Sequence, residues 1–429
     1  MTKTHQLSLF ESESEETAKR TSTFVDNMSL PVHRWFRYSA GFSADWARSY
    51  IKNCAKEFDE IRVVDPFAGS GTSLLVANEC GIPSYGVESH PFVARVARTK
   101  LLCTTSPHEY RTFAKAVLQR AKNYETDISP AYPDLIQKCF QGDKLAELDR
   151  LRRSFEESSD GSSKSELTWL TLVGILRSVS HVGTAQWQYV LPNKTKKNVL
   201  IPFDAFERMI EIFHRDMKKS QDYSSRAILV EGDARTCDGI PENFANLIIT
   251  SPPYPNNYDY ADATRLEMCF MKEIGGWSDL QETVRKHLVR SCSQQTTSSN
   301  VDLESTLEHG ALNPIRDDIR RVCEQLGEIR QTKGGKKNYH LMVASYFLDL
   351  SLVWTALRRI CDSPSNVCFV IGDSAPYGIY VPVIDWLGRL AVAAGFTEWS
   401  FRKIRDRNIK WKNRKHRVPL CEGHLLVKG

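Results

Sequence analysis

Residues 61–88 read IRVVDPFAGSGTSLLVANECGIPSYGVE, and the order of textures in that stretch decides the fold. IRVVD at 61–65 is a short apolar run that closes on an acid, the pattern of a buried strand. DPFAGSGT at 65–72 is a turn, SLLVANECG at 73–81 a helix ended by Gly81, and SYGVE at 84–88 a second strand, again closing on an acid. Strand, turn, helix and strand in so short a span make one βαβ unit, which requires a parallel sheet and a right-handed crossover.

Ligands of such sheets lie beyond the carboxyl ends of the strands, where Gly69 and Gly71 let the backbone approach with no Cβ in the way. A dinucleotide loop would place a third glycine where Leu74 stands, and no lysine follows Gly71 as a P-loop requires. What remains is Asp65 closing one strand, a Gly-Ser-Gly turn and Glu88 closing the next, where a carboxylate can accept both hydroxyls of a ribose.

Strand texture returns at AILVE (227–231) and NLIIT (246–250). Asp233, in EGDAR at 231–235, falls on the same edge as Asp65 and Glu88 and is placed to accept from an adenine amino group. Three acids along one edge suit an adenosine whose other end is a cationic sulfonium. The fourth strand runs into TSPPY at 250–254. Two prolines fix the backbone and remove donors, leaving carbonyl oxygens free; Ser251 adds a hydroxyl and Tyr254 a flat face.

An aromatic amine is a poor nucleophile because its lone pair is delocalised into the ring. Two acceptors on its hydrogens, the Ser251 oxygen and the Pro252 carbonyl, draw the nitrogen towards tetrahedral geometry while Tyr254 stacks on the base. Transfer of a methyl group then rests on positioning and acceptor placement, with no covalent enzyme intermediate. Each fragment has a plainer reading, the acids as loop caps and Pro-Pro as a stiff loop; their conjunction carries the argument.

With these residues together the chain resembles the amino-methyltransferases of DNA, the N4-cytosine and N6-adenine family that uses S-adenosylmethionine. The resemblance covers roughly 30–100, 226–272 and 338–429. It implies cofactor roles for Asp65, Phe67, Gly69, Gly71, Thr72, Glu88 and Asp233, and for Phe42 and Ser43 in RYSAGFS at 37–43. It makes Ser251, Pro252, Pro253 and Tyr254 the catalytic tetrapeptide, and GDSAPYG at 372–378 is similar to the fifth-strand loop of these enzymes. Serine at the head of the tetrapeptide favours cytosine N4. The spelling DPFAGSGT is typical of members whose catalytic motif comes first, whereas here the cofactor motif leads, so the subgroup does not follow from it. The chain contains no Pro-Cys dipeptide, which disfavours carbon-5 cytosine methylation.

The expected architecture is α/β: a Rossmann-like, seven-stranded methyltransferase sheet, mostly parallel with an antiparallel last strand. Residues 1–23 read as a disordered tail and 24–100 as the cofactor-binding half. A mainly helical insertion without strands, sized for target recognition, fills 101–225. The catalytic half is 226–429, with an irregular insertion at about 275–337.

A net charge of +5 and a pI near 8.5 suit a polyanionic partner without demanding one. The charge clusters at 402–417, RKIRDRNIKWKNRKHR, with nine basic residues against one acid and Trp399 and Trp411 nearby. Arg402, Lys403, Arg405, Lys410, Lys412, Arg414 and Lys415 are the expected contacts to DNA phosphates, in a loop joining the last two strands. Residues 285–297 and 332–337 are weaker candidates. A base inside a duplex cannot reach SPPY, so a double-stranded substrate implies base flipping.

Eleven cysteines without Cys-x-x-Cys spacing indicate neither a zinc knuckle nor a disulfide framework, and no metal is expected. The N-terminus has no apolar signal core, and the best apolar run, 379–396, is broken by Asp385 and Arg389. A prokaryotic, cytoplasmic, nucleoid-associated enzyme is expected, with a cognate restriction endonuclease as a further partner. Adenine N6 as target, RNA as substrate and an inactive nucleic-acid-binding protein stay open; a nicotinamide dehydrogenase is a distant alternative.

Overall fold

The structure is a computed structural model that describes residues 24–39, 41–124, 131–185, 189–256, 258–296, 301–334, 337–407 and 418–429. Its strands are β1 (Val63–Asp65), β2 (Ser84–Glu88), β3 (Val182–Thr184), β4 (Val190–Thr195), β5 (Ala227–Glu231), β6 (Ala245–Thr250), β7 (Cys361–Gly372), β8 (Glu398–Asp406) and β9 (Cys421–Lys428). Seven of them form one sheet in the order β5-β2-β1-β6-β7-β9-β8, and β3 and β4 form a separate hairpin. Strands β5, β2, β1, β6 and β7 are mutually parallel, and β9 runs antiparallel between β7 and β8. This is the Rossmann-like methyltransferase sheet that the sequence predicts. Strands β1 and β6 are buried throughout, which is why VVD and ANLIIT show no polar alternation.

The chain order reverses between β1 and β6: from β1 it proceeds outward through β2 and β5, and from β6 through β7 in the other direction. A crevice opens at the carboxyl ends of a parallel sheet at such a switch point. The turn after β1 carries the glycines and the turn after β6 carries Ser251–Tyr254, so the fold brings the two motifs side by side.

Helices α1 (Ala44–Cys54), α2 (Thr72–Glu79) and α3 (Pro91–Leu101) belong to the first half. The insertion supplies α4 (Pro107–Lys122), α5 (Asp134–Cys139), α6 (Asp143–Ser158), α7 (Ser163–Val179) and α8 (Pro202–Lys219). The second half adds α9 (Arg265–Phe270), α10 (Leu303–Leu307), α11 (Arg316–Thr332), α12 (Tyr339–Ile360) and α13 (Val383–Ala393).

The helical insertion shares a core with the aromatic segment that precedes α1. Trp35, Tyr110, Trp169 and Phe213 lie in one buried cluster, with the Trp35 and Phe213 rings stacked 4.0 Å apart. Asp216 of α8, fully buried, accepts from the backbone of Val32 at 3.3 Å, from the guanidinium of Arg34 and from Trp35 Nε1 at 3.0 Å. Buried Lys100 holds the same segment from the sheet side, donating to the carbonyl of His33 at 3.2 Å. A charge so buried is tolerable only when paired or hydrogen-bonded.

Several expectations are corrected. The insertion, expected to be helical without strands, contains the β3–β4 hairpin. The block 275–337 holds the long helix α11, whose buried Ile319, Cys323 and Leu326 follow helical spacing within a mostly charged sequence. The tract at 402–417 is not a loop from its start, since its first five residues lie in β8. Among the described residues it is helix α12, not 379–396, that is long and apolar enough by composition to cross a bilayer: it has 22 residues, and 78% of its apolar window is buried inside the protein.

Candidate active site

Asp65 ends β1 with about 1% of its surface exposed. It accepts from the backbone of Phe67 at 3.0 Å, from Thr250 Oγ1 at 2.6 Å and from the hydroxyl of Ser73. These bonds tie the end of β1, the end of β6 and the start of α2 into one unit. Burial pushes the Asp65 carboxyl up to about 6 despite these donors. Gly69 and Gly71 both take positive φ, +53° and +84°. A Cβ on Gly71 would also lie 3.3 Å from Ala97 Cβ of α3, so the turn is closed from behind by packing. Thr72 begins α2 and is buried, while half-buried Phe67 packs on the core formed by β6, β7 and α12.

Glu88 ends β2 and points back at the glycine turn. It accepts from Gly69 N and His90 N, each at 2.8 Å. It is 9% exposed, and burial pushes its carboxyl up to about 7. The Tyr38 and Tyr258 hydroxyls are held above their ordinary range by burial, with the Glu88 charge contributing to both. Tyr38 also lies against the turn itself, its ring edge 3.2 Å from where a Gly69 Cβ would sit. Asp233, just past β5, accepts from the backbone and the guanidinium of Arg235 at 2.9 Å.

In the RYSAGFS stretch, Phe42 and Ser43 stand directly before α1. Phe42 is buried edge-on against Trp46 at 5.2 Å, and Ser43 caps α1 by accepting from Trp46 N. Both side chains build local structure. Sequence reasoning passed over Tyr38 of the same stretch, although its aromatic side chain is the visible signal.

At the chemical end, Ser251 Oγ donates to the carbonyl of Val370 at 3.2 Å. A hydroxyl that has placed its proton keeps lone pairs to accept with. Tyr254 is buried, its backbone N–H donates to Tyr260 Oη at 3.2 Å, and the Arg407 guanidinium carbon lies 4.9 Å from its ring centroid. Pro252 is buried and Pro253 half-buried. The GDSAPYG loop braces the tetrapeptide from one side, where Ser374 Oγ donates to the carbonyl of Pro255 at 2.9 Å. From the other side come Ser291, whose carbonyl accepts from Asn256 N at 2.7 Å, and Tyr189 Oη, which accepts from Asp259 N at 2.6 Å.

Arg285 and Arg290, in the stretch 285–297 that is a weaker candidate for phosphate contacts, turn inward. Buried Arg285 pairs with Asp259 at 2.6 Å, beyond the tetrapeptide. Arg290 pairs with Asp349 of α12 at 2.6 Å, and Asp349 is also 3.4 Å from Arg235, the partner of Asp233. A guanidinium fork satisfied by a buried carboxylate is not a mobile surface charge. One short segment therefore braces both ends of the site, a connection that no local pattern could announce.

In the basic tract, Lys403 pairs with Asp406 at 2.6 Å and Arg405 with Glu422 at 2.9 Å on β8, where Arg402 also lies. The Lys403–Asp406 pair is exposed and of a kind worth little, whereas Arg405 meets a buried carboxylate. Lys410, Lys412, Arg414 and Lys415, with Trp411, lie outside the described residues.

The chain is similar over 89% of its length to the Type II methyltransferase M.AvaI of Nostoc sp., with 24% identity over 408 residues covering 82% of that protein. It is 24% identical over 445 residues to the Type II methyltransferase M.BsoBI of Geobacillus stearothermophilus, 92% of this chain and 84% of that one. It is 22% identical over 410 residues to the Type II methyltransferase M.MvaI of Kocuria varians, 89% and 86% respectively. No family model matches the chain. Homology to type II methyltransferases thus extends over nearly the whole chain and agrees with its sheet.

Proposed function

We propose that this chain is an S-adenosylmethionine-dependent DNA methyltransferase that methylates an exocyclic amino group of a base, with cytosine N4 favoured over adenine N6. The observation that carries the reading is the bond from Thr250 to Asp65: the residue before Ser251 is tied to the residue that opens the glycine turn. A methyl donor held at one turn therefore lies next to an amine held at the other.

The residues fit an adenosine cofactor. Glu88 is a buried carboxyl supplied with two backbone donors and pushed up to about 7, so ribose hydroxyls donating to it would favour its charged form. Gly69 and Gly71 give the turn its positive φ, Asp233 stands at the next strand end, Tyr38 packs against Gly69, and the Tyr38 and Tyr258 hydroxyls lie near enough to feel the Glu88 charge. Asp65 acts through the loop it organises, as do Phe67 and Thr72, while Phe42 and Ser43 support the site through α1. The cofactor supplies a methyl group on a positively charged sulfur.

The protein's part is to prepare the nucleophile. Ser251 Oγ, with its own proton committed to Val370, accepts one amine hydrogen and the Pro252 carbonyl accepts the other. Tyr254 fixes the plane of the base, and Pro253 stiffens the turn that holds all three. The serine at position 251 supports cytosine N4. Similarity to type II methyltransferases supports DNA as the substrate, a bacterial cytoplasmic setting and a cognate endonuclease as cellular partner. The basic tract from Arg402 to Lys415 supports phosphate contacts at this edge, and a duplex target is reached by flipping the base.

The test is transfer of labelled methyl from S-adenosylmethionine to unmethylated duplex DNA and, separately, to RNA. Label in DNA alone is expected. Label in RNA alone, or cofactor binding without transfer to either, would overturn the substrate assignment.

A further inference from the structure

Arg407 follows β8 directly, and its backbone N–H donates to the carbonyl of Leu420 at 2.8 Å. Unlike Lys403 and Arg405 it turns inward, with its side chain only 12% exposed. Its guanidinium carbon lies 4.9 Å from the Tyr254 ring centroid, Nη1 donates to the carbonyl of Asp373 at 2.7 Å, and Nε lies 3.7 Å from Glu422. Glu422 has a nearer partner in Arg405, at 2.9 Å. The chain keeps space for this side chain: a Cβ on Gly372 would come within 2.8 Å of Arg407 Cδ. An arginine from the most basic stretch of the sequence is thus built into the catalytic tetrapeptide and held over the ring assigned to stack on the target base.

We propose that Arg407 is the second wall of the target-base slot, so that the flipped base enters between the Tyr254 ring and the Arg407 guanidinium. The inference rests on the function proposed above. Two van der Waals separations of about 3.5 Å are needed to seat a flat base between two planar groups. The slot seen here must therefore open by about 2 Å. Tyr254 is fixed by burial and by its backbone bond to Tyr260. Arg407 reaches the ring on a long side chain with more rotatable bonds than a tyrosine has, so it is the wall that moves. A guanidinium suits the task because it is planar, permanently charged and stacks on aromatic faces. With no base bound it covers the Tyr254 ring; with a base bound it stacks on the opposite face, much as bases stack on arginine planes elsewhere.

The experiment uses the full chain with Arg407→Gln and Arg407→Lys. Glutamine keeps a donor for the Asp373 carbonyl and removes the stacked cation; lysine keeps the charge and removes the plane. Three quantities are measured: cofactor affinity by calorimetry, the single-turnover transfer rate on unmethylated duplex DNA, and the fluorescence of 2-aminopurine at the target position mapped from the wild-type product. For Arg407→Gln we expect cofactor affinity within about twofold of wild type and a transfer rate lower by roughly ten- to a hundredfold, the usual loss for one stacking partner. The 2-aminopurine should become brighter as stacking is lost on one face. Arg407→Lys should recover only part of the rate. Wild-type rate and fluorescence in Arg407→Gln would overturn the proposal, and full recovery in Arg407→Lys would show that only charge matters and overturn it equally. A wild-type protein that transfers no methyl group to DNA would instead remove the functional reading on which the inference stands.

Discussion

The two ends of the site use their polar groups in opposite ways. At the glycine turn, carboxylates are consumed by the chain: Asp65 serves one backbone and two hydroxyl donors, Glu88 two backbone donors, and Asp233 the fork of Arg235. At the tetrapeptide the chain supplies partners that use up donors instead. The Ser251 proton goes to Val370 and the Tyr254 N–H to Tyr260. A buried polar group is costly unless it is partnered. On the proposed roles, the loop for cofactor hydroxyls is organised by borrowed donors and the loop for the amine by giving its donors away.

This contrast breaks most cleanly by mutation. Gly71→Asp should abolish cofactor binding, because φ +84° and Ala97 behind the turn leave no place for a side chain. Tyr254→Ala should abolish transfer while leaving cofactor affinity largely intact. Calorimetry with labelled transfer in both variants reads the pair; normal turnover in the second or normal affinity in the first would dissolve the division between the ends.

Arg285 and Arg290, five residues apart, brace different ends and should part company kinetically. Arg290→Met removes a partner of Asp349 and, through Arg235, loosens Asp233, so KM for the cofactor should rise about tenfold with kcat little changed. Arg285→Met unpairs Asp259 beyond the tetrapeptide and should lower kcat about tenfold with cofactor affinity kept. Breaking a buried pair typically costs about 3–5 kcal/mol, so melting temperatures should fall in both. Equal effects on KM and kcat in the two variants would mean that the segment is a common scaffold only.

The same contrast separates two acids of the glycine turn. Asp65→Asn faces an amide group towards donors and should cost about 1–3 kcal/mol of stability, visible as a lower melting temperature. Glu88→Gln should leave melting nearly unchanged and weaken cofactor binding by about tenfold.

The smallest effect is that of pH. The folded Glu88 carboxyl is raised to about 7 from an ordinary value near 4.5, so its contribution to folding is present below about 4.5 and is lost as pH rises through 7. Ligand hydroxyls donating to the carboxylate reverse that sign for binding. Cofactor affinity should therefore increase by a few fold between about pH 6 and 8, and the increase should vanish in Glu88→Gln. A flat profile in the wild type would separate Glu88 from the ribose.

What was legible in the sequence is what lies contiguously along the chain. SYGVE and AILVE are strands with the expected bounds, and DPFAGSGT and SPPY fall at the switch point because strand ends and turn residues are encoded locally. Helix α11 was within reach, since its apolar positions keep helical spacing, but the charge between them reads as irregular. The pairs Arg285–Asp259 and Arg290–Asp349 depend on folding that joins distant segments, and no period in the sequence reports them. Arg407 shows the same limit from the other side: composition assigns a basic tract to solvent, while a single glycine at 372 and a carbonyl at 373 let one member turn inward.

The central claim is that an amine held by Ser251 and Pro252 meets the methyl donor held by the glycine turn. Its most direct test is to label unmethylated duplex DNA with methyl-labelled S-adenosylmethionine, digest it to nucleosides and identify the labelled product by mass spectrometry. The account predicts label on an exocyclic nitrogen, as N4-methylcytosine. N6-methyladenine would keep the mechanism and discard the cytosine assignment; label on carbon 5 of cytosine, or no label in DNA from a protein that binds the cofactor, would contradict the account.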